Sequence, residues 1–180
     1  MTDSLQRALH AAAVAHPLLG TAAVFCANAL MFVLVLALAG LLWRRRQQVT
    51  GGLLARMAAS LLVATALTVV FGHLVPDPRP YLAEHYAPLA HVAADNGFPS
   101  GHTLVAALLT GWAGWLSRRG WPAFAAGLAA VMLGRLAIGA HHTLDVLGSV
   151  AFAAAGLTLA TQVRLPAAWH TRPLWPGRTG

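Results

Sequence analysis

A chain of 180 residues that is 58% hydrophobic and only 9% charged is too poor in charge for a soluble domain, where about a quarter is usual. Its net charge of +7 rests on twelve arginines and no lysine, set in short clusters between apolar runs rather than on one face, which excludes a nucleic-acid binder. The single cysteine, Cys26, lies inside an apolar run, which excludes a disulfide framework and a thiolate metal site and leaves a small packing residue.

In chain order, residues 1–17 form an N-terminal segment whose 4–15 stretch predicts an amphipathic helix, lying in the interface or re-entering the membrane. Arg7, His10 and His16 interrupt it, so no secretory h-region is expected there. Five apolar runs follow, at residues 18–43, 53–75, 103–116, 121–138 and 144–163. Each approaches the ~20 residues that cross a ~30 Å hydrocarbon core, the third only if it begins near Ser100. The runs are continuous rather than alternating, which predicts helices and not a barrel. The expectation is an all-α polytopic membrane bundle of about five spans, with one domain over residues 18–165. The tail at 166–180, holding Pro166, Pro173 and Pro176, is expected to be irregular and cytoplasmic.

Charge sets the expected orientation. Arg44, Arg45, Arg46 and Arg56, then Arg118 and Arg119, then Arg164, Arg172 and Arg178 fall on alternate connections, so all nine can be cytoplasmic. The other face then receives every acidic residue (Asp3, Asp77, Glu84, Asp95 and Asp145) and eight of the nine histidines. Trp43, Trp115 and Trp121 sit at cytoplasmic span ends, where an interfacial aromatic belt accounts for them. His10, His16, His85, His91 and His170 are read as interfacial residues without a catalytic part.

Three short motifs share the non-cytoplasmic face. Arg79-Pro80 follows the second run, and Phe98-Pro99-Ser100-Gly101-His102-Thr103 enters the third. Gly134-Arg135 is followed after five residues by His141 and after three more by Asp145. Phosphate chemistry has a use for each. Ser100 and Gly101 open a helix whose N–H groups and positive dipole end can face an anion. Arg79 and Arg135 offer planar forks that match phosphate oxygens. His141 and Asp145, four apart, share a helix face, and a carboxylate on one imidazole nitrogen leaves the other free to attack. His102 remains to protonate the leaving oxygen. Carboxylates close enough to chelate a divalent cation are not evident, so no metal and no cofactor are expected.

These motifs resemble those of the type 2 phosphatidic acid phosphatase superfamily: Lys-x6-Arg-Pro, Pro-Ser-Gly-His and Ser-Arg-x5-His-x3-Asp. The likeness covers residues 58–161 and implies a metal-independent helical fold. It further implies His141 as nucleophile, Asp145 as its partner and His102 as acid, with Arg79, Ser100, Gly101 and Arg135 holding the phosphoryl group. Ala93-Ala94-Asp95-Asn96-Gly97-Phe98-Pro99-Ser100 and His141-His142-Thr143-Leu144-Asp145-Val146-Leu147-Gly148-Ser149 look most like the bacterial undecaprenyl-diphosphate phosphatases of the bacitracin-resistance type. Membership there implies a multi-pass protein of the bacterial inner membrane that recycles the lipid carrier of cell-wall synthesis at the outer face. Three positions depart from the pattern. Gly72 stands where the first-motif lysine belongs, with His73 beside it as a candidate replacement. Gly134 replaces the third-motif serine, and Gly101 stands where the bacitracin-resistance branch often has Asp.

The expected activity is hydrolysis of a polyprenyl diphosphate to the monophosphate through a phosphohistidine. A broader lipid phosphatase acting on phosphatidate or phosphatidylglycerophosphate would use the same residues. A histidine-rich haem- or metal-binding membrane protein is the rival of another class. It needs histidines at mid-membrane depth, and the middles of these runs hold none.

Overall fold

The computed structural model describes residues 3–171, 174 and 175. Asp3 starts α1 (Ser4–Ala15) by accepting the Gln6 N–H at 3.0 Å. His16 is extended and breaks the chain direction, and Pro17 opens α2 (Pro17–Val24), where its missing N–H costs nothing. A π-helical turn (Phe25–Ala29) joins α2 to α3 (Leu30–Arg44), so the first run is one interrupted helix over Pro17–Arg44. Thr50 caps α4 (Gly51–Leu74) through the Leu53 N–H at 3.2 Å. The one-turn α5 (Pro80–Ala83) lies within the connection to α6 (Gly101–Leu116), which is followed by α7 (Trp121–Ala137) and α8 (Thr143–Thr161).

The result is an all-helical membrane bundle. The Pro17–Arg44 helix, α4 and α8 are each long and apolar enough to cross a bilayer, and α6 and α7 are shorter. Span limits fall within a few residues of expectation, the third beginning at Gly101 and so taking in His102. The tail needs correction, because Ala167–Thr171 forms a further short helix, α9, and the Leu174 N–H reaches the Val49 carbonyl at 2.9 Å. Pro166 immediately precedes that helix, and its carbonyl accepts the Trp169 N–H at 2.9 Å. Arg172, Pro173, Pro176 and Arg178 lie outside the described residues.

Lipid is as apolar as leucine, so close backbone packing must hold such helices together. At the α4–α8 crossing a Cβ on Gly156 would stand 2.5 Å from the Ser60 carbonyl oxygen, and Ala64, Ala153 and Ala160 are buried beside it. Ser60 also accepts the Trp112 indole N–H at 2.9 Å, tying α6 to that seam. A second layer buries Leu34, Leu38, Leu109, Phe124 and Val131 between α3, α6 and α7. Outward, Leu18 (86% exposed), Leu36 (72%) and Leu62 (71%) are left uncovered, as side chains against lipid would be.

The expected N-terminal amphipathic helix is docked on protein. Gln6 is fully buried and donates to Tyr86 Oη at 2.9 Å and to the Leu136 carbonyl at 3.2 Å. His10 is not idle, since it stacks on Tyr86 and hydrogen-bonds the Ala137 carbonyl at 2.8 Å. Asp3 also accepts the Thr143 N–H and, at 3.0 Å, the Thr143 hydroxyl, joining α1 to the start of α8.

Candidate active site

The chain order brings the C-terminal ends of α4 and α7 and the N-terminal ends of α6 and α8 to one end of the bundle. The 75–100 connection folds over that end because Asn96 clamps it. Asn96 accepts the Asp77 N–H at 2.7 Å and donates to the carbonyls of Gly72 (2.7 Å), Val75 (3.0 Å) and Phe98 (3.0 Å). Gly97 then donates to the Asp77 carbonyl at 2.7 Å.

His141 lies in the turn between α7 and α8. Gly139 makes that turn at φ +80°, where an L side chain is strained and a Cβ would strike the Tyr86 ring. The imidazole is 2% exposed. Its Nδ1 faces two acceptors, the Gly97 carbonyl at 2.9 Å and Asp145 Oδ2 at 3.3 Å, so Nδ1 carries the proton. The lone pair is therefore on Nε2, where Arg79 Nη1 and Arg135 Nη2 both arrive at 3.2 Å. Burial first, then the charges of Arg135 and Arg79, push His141 down to about 3, which keeps the ring neutral. A neutral imidazole lone pair facing two guanidinium groups is an arrangement suited to an anionic group.

Arg79 is buried and held from behind. Its Nε and Nη2 donate to Asp95 Oδ1 at 2.9 and 2.7 Å, and its Nη1 also reaches the Ala140 carbonyl at 2.9 Å. The guanidinium in turn holds the Asp95 carboxyl below its usual range. Arg135 is fixed through Nη1 to Asn28 Oδ1 at 3.2 Å, while its buried Nε has no partner among the described residues.

Ser100 is fully buried after a cis Phe98–Pro99 peptide. Its Oγ accepts the Thr103 hydroxyl at 3.1 Å, and its carbonyl accepts the Ser149 hydroxyl at 2.9 Å. Gly101 is exposed at the start of α6, with nothing within 4 Å of where a Cβ would stand, so it leaves open space beside the helix N-terminus. His102 is half-buried, makes no hydrogen bond among the described residues and lies within reach of the charges of Arg135 and Arg79. Thus His141, Asp145, His102, Arg79, Arg135, Ser100 and Gly101 gather at one end. His73 does not join them, because it is exposed and its Nδ1 bonds back to the Val69 carbonyl at 2.7 Å. Gly72 faces the second motif, a Cβ there standing 3.4 Å from the Phe98 carbonyl oxygen.

The expectation that no carboxylates lie close enough to chelate is wrong. Asp77, His142 and Asp145 place one ligand atom each within 4.8 Å of one another, because the folded-back connection sets Asp77 beside the first turn of α8. These atoms also serve each other. Asp145 Oδ2 accepts the His142 N–H at 2.8 Å, and His142 Nδ1 lies 3.1 Å from Asp77 Oδ2. Burial, then the neighbouring Asp145 carboxyl, raises Asp77 above its usual value, so a proton can take the place a cation would fill. Sequence reasoning gave no site role to Asp77, Asp95, Asn96, His142 or Asn28. For Asn28 a signal existed: it is the one amide side chain in the 18–43 run.

Comparison with known proteins agrees with the geometry. Residues 53–169 match the PAP2 superfamily. The chain is 30% identical over 150 residues to the "Putative undecaprenyl-diphosphatase YbjG" of Escherichia coli K12, covering 82% of this chain and 74% of that protein. It is 34% identical over 96 residues to "Undecaprenyl-diphosphatase BcrC" of Bacillus subtilis 168, covering 53% of this chain and 47% of that protein. No solved structure gives a significant match.

Proposed function

Because the chain belongs to the PAP2 superfamily and is a membrane phosphatase of that kind, we propose that it hydrolyses undecaprenyl diphosphate to the monophosphate through a phosphohistidine. The observation that carries the reading is the His141 Nε2 lone pair at the meeting point of Arg79 and Arg135. In the first step Nε2 attacks the terminal phosphorus, a P–N bond forms, and the bridging P–O bond breaks. Arg79, Arg135 and the first-turn N–H groups of α6 stabilise the charge on the equatorial oxygens. His102 can supply a proton to the leaving oxygen. Asp145 and the Gly97 carbonyl hold Nδ1–H while the ring becomes cationic. Water then attacks phosphorus, gives up a proton to the site, and releases inorganic phosphate with His141 restored.

The choice of a polyprenyl diphosphate rests on what the two relatives are named for. The arginine partition supports an outer-face site: Arg44, Arg45, Arg46, Arg118, Arg119 and Arg164 belong to the connections and helix ends opposite the site. Phosphate release by the purified protein is to be measured from polyprenyl diphosphate and phosphatidate at equal surface concentration. Preference for the diphosphate is expected, equal rates would make the protein a broad lipid phosphatase, and no release from either would reject the reading. In intact cells an impermeant thiol reagent should label a cysteine placed in the 75–100 connection and spare one at position 45.

A further inference from the structure

We infer that Asn28 is a positioning residue of the phosphate site, holding Arg135 through the chemical step; this rests on the phosphatase reading above. An amide in the middle of an apolar run is costly unless it has a partner, and the partner here is Arg135 Nη1 at 3.2 Å. Arginine only donates, so the Asn28 oxygen must face it and its NH₂ is the remaining end. That NH₂ has no partner among the described residues.

Two features of the fold are built around this contact. Asn28 belongs to the π-helical turn Phe25–Ala29, closed by the Leu30 N–H on the Phe25 carbonyl. Such a turn re-aims one side chain within an otherwise regular helix. The turn also lies directly on Gly134. A Cβ at Gly134 would stand 2.7 Å from the Ala27 nitrogen, 2.9 Å from Cys26 Cβ and 3.0 Å from the Ala23 carbonyl oxygen. The serine that the motif places before its arginine cannot fit without moving span one. The first span's backbone occupies that space, and it brings an amide to the neighbouring arginine.

The timing of the bonds gives Asn28 its role. In the resting site Arg135 is held by Asn28 and by the Nε2 lone pair of His141. That lone pair is spent when Nε2 bonds to phosphorus, so the second hold vanishes as the guanidinium is needed. Arg79 does not face this problem, since Asp95 and the Ala140 carbonyl remain. A neutral acceptor also fixes Arg135 without cancelling its charge, which a carboxylate would do.

The test compares wild type with Asn28→Ala, Asn28→Ser and Asn28→Asp in detergent. It measures turnover of farnesyl diphosphate, inhibition by orthovanadate, and thermal stability with and without vanadate. Asn28→Ala should weaken vanadate inhibition and lower kcat/KM by about tenfold, as loss of a hydrogen bond to a charged group does. Its melting temperature without vanadate should stay near that of wild type, and Asn28→Ser should recover part of the loss. Asn28→Asp should melt no lower than wild type, yet lose vanadate affinity at least as severely, a pattern that a packing role would not give. Vanadate inhibition within twofold of wild type in both Asn28→Ala and Asn28→Asp would overturn the inference while leaving the phosphatase reading intact. A wild-type protein that neither turns over the diphosphate nor is stabilised by vanadate would overturn both.

Discussion

Replacing Asp145 by Asn separates the two jobs that a carboxylate beside a nucleophilic histidine can do, fixing its tautomer and stabilising its charge. The Nδ1–H of His141 is shared, and the shorter bond goes to the Gly97 carbonyl at 2.9 Å, not to Asp145 at 3.3 Å. Asp145 Oδ2 also accepts the His142 N–H at 2.8 Å, while Oδ1 is buried with no hydrogen-bond partner among the described residues. An asparagine can keep its oxygen at the Oδ2 position, where both donors need it, and turn its NH₂ to the Oδ1 side. The tautomer should therefore survive. What is lost is the charge opposite an imidazole that becomes cationic as the P–N bond forms. A full charge pair at 3.3 Å would be worth roughly 5 kcal/mol at an effective dielectric near 20. With about half a charge developed in the transition state, the loss is ~2–3 kcal/mol, or about 10²-fold. Single-turnover phosphoenzyme formation on purified Asp145→Asn, with its melting temperature checked, measures this directly. A loss near the ~10⁴-fold seen when a catalytic histidine takes the wrong tautomer would refute tautomer control by Gly97. A loss below threefold would refute charge stabilisation by Asp145.

Further expectations concern the acid, the carboxylates and metal. His102→Ala should cost up to about 10²–10⁴-fold in phosphoenzyme formation from a monoester, whose alkoxide leaving group has a conjugate acid nearly as weak as water. It should cost clearly less with a diphosphate, which expels a phosphate of pKa near ~6, and equal penalties would remove His102 from the acid role. Activity should persist in EDTA, because arginines meet the phosphate charge; a loss restored by Mg²⁺ would instead make Asp77, His142 and Asp145 a working metal site. Asp77 has a folded pKa raised above 3.8, so the folded protein binds the extra proton and its stability falls as pH rises through that raised value. Asp77→Asn removes the effect, so its melting temperature relative to wild type should be higher at pH 7 than at pH 4. A difference that does not change between those pH values would show that the Asp77 carboxyl is not strained.

The sequence by itself determined the class of the molecule and the short motifs that the fold gathers at one end. Continuous apolar runs can only be helices where no water satisfies the backbone, and the Arg79, Ser100-Gly101-His102 and Arg135-His141-Asp145 spacings depend on local geometry at helix ends. The tertiary structure alone decided what holds those groups. Gly97 and Asp145 meet on one imidazole nitrogen because the 75–100 connection folds back under the Asn96 clamp. Asp77 stands beside Asp145 for the same reason, and no spacing in the sequence shows it. Asp95 reaches the back of Arg79 only through the fold of that same connection, and Asn28 behind Arg135 comes from a segment far away along the chain. The N-terminal helix, read from its sequence as a membrane-interface element, is tied to the bundle by Gln6, His10 and Asp3, through bonds to Leu136, Ala137 and Thr143. Periodicity tells which face of a helix is apolar, but a buried polar group finds its partner only after the helices have packed, and that partner fixes where a guanidinium or an imidazole points.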